Sequence, residues 1–270
     1  MFQKAKKAHR WVILTLLLML GCAQPWEREP GPFDRNDLPL NIYNLRGNVW
    51  VAEDYNYYRT NLSMYIDHDA GVVFIGAGWS YKSARQLLWK AAANSYGPFQ
   101  ALIVPGYRLS YTGGLPPFQR HELKVIMQQN APVLLRLHWD HMQQEMLQSF
   151  GSWREFEPVE ADVLYQNHFT MMDGAVEVYH FGHAHSPDNT LVFFPRERVL
   201  YAGSVLSDPL LFMDQANLEK YDQVLNQIAE LEFDTIIAGH GESVHNRTLL
   251  DNVRQQIHRL RQTPTADEPR

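Results

Sequence analysis

Gly182-His183-Ala184-His185-Ser186-Pro187-Asp188-Asn189 sits between two apolar runs, Val176 to Tyr179 and Leu191 to Phe194. A third run, Val199 to Tyr201, follows and ends at Ala202-Gly203-Ser204. Apolar runs this short, broken by Gly, Pro and Asn, read as buried strands. His183 and His185 are two apart, so in an extended segment they share a face. Together with His240, in Ala238-Gly239-His240-Gly241, they could form a three-histidine metal site.

Working outward, Val49 to Ala52, Leu62 to Ile66 and Val72 to Ile75 also read as strands, the last two joined by the turn Asp67-His68-Asp69-Ala70-Gly71. Ser80 has the character of an N-cap, opening a helix to Ala93 with Ala84, Leu87, Leu88 and Ala91 on one face. Ala101 to Val104 reads as a buried strand. Pro116 to Gln129 and Trp139 to Phe150 read as helices around a strand at Val133 to Leu135. Gln215 to Leu231 places Leu218, Tyr221, Leu225 and Ile228 at helical spacing. Thr235 to Ala238 closes the strands, and a helix follows from Thr248. Each half of the chain is therefore strands followed by a helix-flanked strand. The expected class is α/β, an αββα sandwich in which two facing mixed sheets bury their inner faces and helices cover the outer ones.

These segments resemble the metallo-β-lactamase superfamily. The resemblance rests on Gly71-Val72-Val73-Phe74-Ile75-Gly76-Ala77-Gly78-Trp79, the Thr112-Gly113-Gly114 turn, Gly182 to Asn189, Ala216-Asn217-Leu218-Glu219 and Ala238 to Gly241, all in the family's order. It is closest to the zinc β-lactamases with a cysteine ligand, and it implies a zinc site. The family's first ligands come from a His-x-His-x-Asp motif before the Gly-Gly turn. Counting back from Gly113, those positions here are Gly106, Arg108 and Ser110, followed by Tyr111. Glycine has no donor, and a guanidinium cannot deprotonate to ligate. His185 and His240 are retained, while Ser204 stands in place of the remaining Asp or Cys. The aspartate that usually ends the Gly-Val-Val strand and braces the ligand loop is Gly76 here.

The resemblance thus implies the fold and withdraws most of the metal. The expected cleft contains Arg108, Ser110, Tyr111, His183, His185, Ser204 and His240. No cofactor is expected. The alternative is a rearranged single-metal hydrolase that holds zinc through His185, His240 and either His183 or Asp208. In the metal-free reading, Arg108 either anchors an anionic ligand, with the histidines as further donors, or pairs with Asp188 or Asp208 and plugs the cleft.

Other residues have plainer readings. His138 and His141 are three apart on a helix, a spacing more common for surface or capping residues than for ligands. His180 falls at a strand end, and His121, His245 and His258 read as ordinary helix or loop residues. Tyr55-Asn56-Tyr57-Tyr58-Arg59-Thr60-Asn61 is either a strand edge with tyrosines packed on the core or a wall beside the cleft. Trp79 and Trp89 read as core.

The N-terminus reads as targeting. Lys4, Lys6, Lys7 and Arg10 precede an apolar stretch from Trp11 to Leu20, too short for a spanning helix of about twenty residues. Met19-Leu20-Gly21-Cys22 resembles a bacterial lipobox, which implies cleavage before Cys22 and a lipid on it; the alternatives are a plain secretory signal or an uncleaved anchor. Ala23 after the cysteine points to an outer-membrane lipoprotein facing the periplasm. Cys22 is the only cysteine, so no disulfide forms within one chain. The expected organisation is a signal over residues 1–22, a proline-containing tether over 23–39, the folded domain over 40–261 and a polar tail over 262–270. A net charge of −6 with no basic stripe argues against nucleic acid as a partner. The expected function is that of a lipid-anchored periplasmic protein that binds a small anionic ligand or an envelope partner rather than turning over a substrate with zinc. A purely structural envelope protein, its cleft filled by its own side chains, is the third reading.

Overall fold

A computed structural model describes residues 38–56, 58–150 and 157–262. The expected signal with Cys22, the tether up to residue 37, Tyr57 and the tail from residue 263 lie outside the described residues.

Thirteen strands and six α-helices make up the described chain. β1 (Asn41–Arg46), β2 (Val49–Asp54), β3 (Thr60–Asp67) and β4 (Gly71–Ile75) form an antiparallel run, and α1 (Tyr81–Ala92) follows. β5 (Phe99–Val104) leads into two one-turn helices, α2 (Leu109–Thr112) and α3 (Leu115–Phe118), then β6 (Lys124–Gln128), α4 (Ala131–Phe150) and β7 (Val163–Tyr165). β8 (His168–Met171), β9 (Val176–Tyr179), β10 (Leu191–Phe194) and β11 (Val199–Gly203) come next. The chain closes with α5 (Leu218–Ala229), β12 (Thr235–Ala238), β13 (Val244–Asn246) and α6 (Thr248–Gln262).

The strands make two mixed sheets, seven strands in the order β1 to β7 and six in the order β13-β12-β11-β10-β9-β8. In the first, β4 to β7 pair in parallel; in the second, only β11 and β12 do. Side-chain alternation explains the layers. Along β4, Val73 and Ile75 join a core shared with Val178, Val192, Phe194, Tyr201 and Ile237 of the second sheet. Val72 and Phe74 point the other way, toward Leu87, Leu88 and Phe118. The second sheet does the same with Leu200 and Ile236, which pack on Tyr221, Leu225, Val253 and Ile257 of α5 and α6. This is the expected αββα sandwich, because each strand has two apolar faces and both must be covered. Tyr65 and Phe194 stack across the sheet interface with ring centroids 5.7 Å apart.

Several elements correct the sequence reading. Val133 to Leu135 lies inside α4, and the strand is β6, within the stretch read as a helix. The run Ala131 to Leu137 is apolar enough to pass for a strand, but Leu135 is buried while Val133 and Leu137 are exposed, a helical division. Only one turn, α3, forms at Pro116-Pro117, which occupy the first positions of the helix where no amide donor is needed. Trp89 is 51% exposed, not core, whereas Trp79 is buried. β1, β7, β8 and β13 were not read as strands; their residues are largely half-buried or exposed and lack an apolar run. Ser80 caps α1 as read, accepting from the Ser83 amide, and Asn217 caps α5 by accepting from Lys220. Among the described residues no helix is long and apolar enough to cross a membrane.

Candidate functional site

The loops that follow β5, β9, β11 and β12 bring the cleft residues together. Ser204 follows β11, and His240 follows β12, its strand neighbour. Two backbone hydrogen bonds, Asn61 N to Gly239 O (2.9 Å) and Gly241 N to Arg59 O (3.3 Å), pin the His240 loop to the start of β3 in the other sheet. The site therefore spans both sheets.

Its centre is a chain of hydroxyl and imidazole groups. Tyr111 Oη lies 3.0 Å from Ser204 Oγ, and Ser204 Oγ lies 3.3 Å from His240 Nε2. On the other side of the ring, His240 Nδ1 is 3.3 Å from Thr60 Oγ1, which accepts from Trp79 Nε1 at 2.9 Å. His240 and Tyr111 are buried, and Ser204 is half-buried. Burial, with His185 and Arg108 as charged or ionisable neighbours, holds the His240 pKa down to about 4, so its ring is neutral near pH 7. Burial lifts the Tyr111 phenol to about 12.

The remaining residues of the cleft hold a loop. His185 Nε2 donates to the Leu211 carbonyl at 2.7 Å, and His183 Nε2 donates to the Gln215 carbonyl at 2.7 Å. Arg108 donates to the Phe212 carbonyl at 3.1 Å and forms a tight ion pair with Asp214. Its guanidinium lies over the Tyr107 and Phe212 rings, 5.4 and 5.1 Å from their centroids. Four side-chain contacts thus staple the segment from Leu211 to Gln215 over the cleft. Phe212 reaches inward, its ring 5.6 Å from His240 and edge-on to Tyr58 at 4.9 Å.

Set against the sequence, the structure brings Tyr111, Ser204 and His240 into contact and places Arg108, His183 and His185 around the same loop. Ser110 is buried with its Oγ unpartnered, not a group presented to a ligand. The partner of Arg108 is Asp214, not Asp188 or Asp208. Asp188 is buried and accepts from Tyr107 N (2.7 Å) and Ser186 Oγ (2.6 Å), while Asp208 accepts from Gln256 (3.2 Å). Asp214 is 57% exposed at its side chain, so removing Arg108 would not strand a buried carboxylate. Tyr58 is a wall residue: it covers Phe212 and remains 40% exposed. His138 stacks on Tyr107 at 5.2 Å, away from any second histidine contact, and His180 Nδ1 meets the Asn189 carbonyl. Thr60 belongs to the Tyr55 to Asn61 run read as a strand edge or a wall beside the cleft, whereas nothing local marks Phe212 and Asp214, since each acts through contacts distant in sequence.

The fit to zinc can be judged from the donors. A carbonyl oxygen only accepts, so Nε2 of His183 and of His185 carries a proton and only Nδ1 of each ring is left to meet a metal. Burial foremost, opposed by the Leu211 contact and reinforced by Arg108, keeps His185 neutral with a pKa of about 4. Gly106 supplies nothing, and Arg108 places a fixed cation beside the cleft. Among the described residues no group of three or more His, Cys, Asp or Glu is placed to hold a metal ion. The side chains present do not fit one, neither as a three-histidine site nor with Asp208.

Comparison with solved structures shows the fold. The chain superposes on the DIM-1 metallo-β-lactamase with a TM-score of 0.70 at 19% identity, covering 83% of this chain and 99% of that one. The metallo-β-lactamase from Pontibacter korlensis gives 0.66 at 18%, covering 81% and 99%. FIM-1 from Pseudomonas aeruginosa, solved in a mono-zinc form, gives 0.69 at 13%, covering 83% and 97%. Among curated proteins, the 2,4-dinitroanisole O-demethylase subunit alpha of Nocardioides sp. (strain JS1661) is 29% identical over 171 residues, 61% of this chain. The matched stretch spans 46% of that protein's length. No family model matches the chain.

Proposed function

We propose that this chain, which has the metallo-β-lactamase fold, is a lipid-anchored periplasmic protein that binds a ligand or partner without zinc. The observation that carries this reading is the loop staple. Arg108 and His185, at positions where the resemblance places metal ligands, are committed to the Phe212 and Leu211 carbonyls and to Asp214, and His183 beside them to the Gln215 carbonyl. A metal would have to displace the fixed positive charge of Arg108 from the cleft. An anionic ligand has an easier route, since it needs only to replace the exposed Asp214 on a guanidinium already held between two rings. Its planar fork suits a carboxylate or phosphate.

The test is metal content and metal dependence. The purified chain is expected to contain far less than one zinc per molecule, and chelator should leave its melting temperature unchanged. A metal present at a thousandfold excess over its Kd would stabilise by about 4 kcal/mol, so its removal would show clearly. A chelator-induced fall in melting temperature, reversed by zinc, would replace this reading with the single-metal hydrolase.

The anchor is supported by Lys4 to Cys22 alone. Cells fed a fatty-acid analogue are expected to label the wild type and not Cys22→Ser. A mature N-terminus other than residue 22 on an unlabelled protein would remove the lipid from the proposal.

A further inference from the structure

The groups around Ser204 have a definite polarity. The Thr60 hydroxyl has one proton, which goes to the Tyr58 carbonyl at 3.1 Å, and Thr60 Oγ1 already accepts from Trp79. Against that oxygen His240 Nδ1 can only donate. That contact puts the proton on Nδ1 and leaves Nε2 with its lone pair facing Ser204 Oγ. Ser204 then donates to Nε2, and its oxygen accepts from Tyr111. A serine hydroxyl, an imidazole with a free nitrogen toward it, and a hydroxyl fixing the other nitrogen are the parts of an activated nucleophile.

We propose that Ser204 is a metal-independent acyl acceptor with His240 as its general base, taking activated acyl donors such as aryl esters or thioesters. In this step a bond forms between Ser204 Oγ and the acyl carbon as that carbon's bond to its leaving group breaks. The serine proton passes to His240 Nε2 and from there to the leaving group. The Phe212 and Tyr58 rings beside His240 favour an uncharged acyl or aryl group. An imidazole base suits acyl donors whose leaving groups depart readily. Ser204, half-buried at the end of β11, is the exposed member of the chain of groups. The inference goes beyond the binding role above, since the ligand would be held covalently.

The test uses the full chain and 4-nitrophenyl acetate, with and without chelator, followed by peptide mapping. One acetyl group per chain is expected on Ser204 in both conditions. Ser204→Ala should remove that adduct, and Ser204→Cys should restore labelling at the same position, which guards against a folding defect in the alanine variant. His240→Gln should slow labelling of Ser204 by about 100-fold, the size of a lost general base. An unchanged rate in His240→Gln, or acetylation of other serines as fast as Ser204, overturns the proposal. So does no adduct in either condition, which leaves the zinc-free reading standing. Labelling of Ser204 that requires added zinc overturns both.

Discussion

Gly239→Ala is expected to lower stability by about 3 kcal/mol or more and to separate Tyr111 from Ser204. A Cβ on Gly239 would lie 2.3 Å from the Gly203 carbonyl carbon, 2.4 Å from its oxygen and 2.6 Å from Tyr111 Oη. Two of those atoms are backbone. They cannot yield easily, because Gly239 N is hydrogen-bonded to Gly203 O at 2.8 Å and β11 and β12 are paired just before that point. Forced overpacking of this kind typically costs about 1–3 kcal/mol, more when backbone must move. Gly106→Ala is the control. Its Cβ would meet nothing nearer than 3.8 Å, so the change should stay within about 1 kcal/mol. Urea midpoints at constant slope measure both. A Gly239→Ala variant as stable as wild type would contradict the close approach of the two loops that builds the site.

Acid should destabilise the fold between about pH 6.5 and pH 4. His185 and His240 have folded pKa values near 4, below the ordinary value of 6.5, because burial disfavours their charged forms. For a depressed pKa the stability is fully present above the unfolded value and is lost as pH falls through the folded one. Each histidine corresponds to roughly 3 kcal/mol at the acid end. Asp188 runs the opposite way. Burial raises its pKa from 3.8 to about 6, so its contribution is present at low pH and lost as pH rises through about 6. It offsets about one histidine, leaving a net loss of roughly 3 kcal/mol at pH 4. Unfolding free energies at pH 7, 5 and 4 check this. The His185→Gln, His240→Gln double variant should reverse the slope, and Asp188→Asn should steepen it in the wild type. A flat wild-type profile would mean that the two rings are not buried neutral.

Much of the fold was legible because its central strands are continuous apolar runs. Val72 to Ile75, Ala101 to Val104 and Leu191 to Phe194 are buried on both faces, and that burial is written into their composition. The failures share one cause. Between Pro116 and Leu137 the true strand, β6, has a lysine and a glutamine at its ends, whereas the start of α4 is a dense apolar run. Periodicity over so few residues does not separate helix from strand, and sheet pairing decided it.

The site divides in the same way. What Gly106, Arg108, Ser110 and Ser204 can and cannot donate to a metal was readable, because ligand chemistry belongs to the residue type. What those residues do instead was not. Arg108 and Asp214 are 106 residues apart, and the Leu211 and Gln215 carbonyls that hold His185 and His183 are backbone groups any residue could supply. The sequence by itself determined the layering of the sandwich and the donor chemistry available at each cleft position, since both follow from side-chain chemistry along the chain. Only the tertiary structure decided that the Leu211 to Gln215 segment is fastened to Arg108, His183 and His185 and that Ser204 faces His240 Nε2. Those outcomes depend on distances between loops and on where each proton must sit once every donor has met an acceptor.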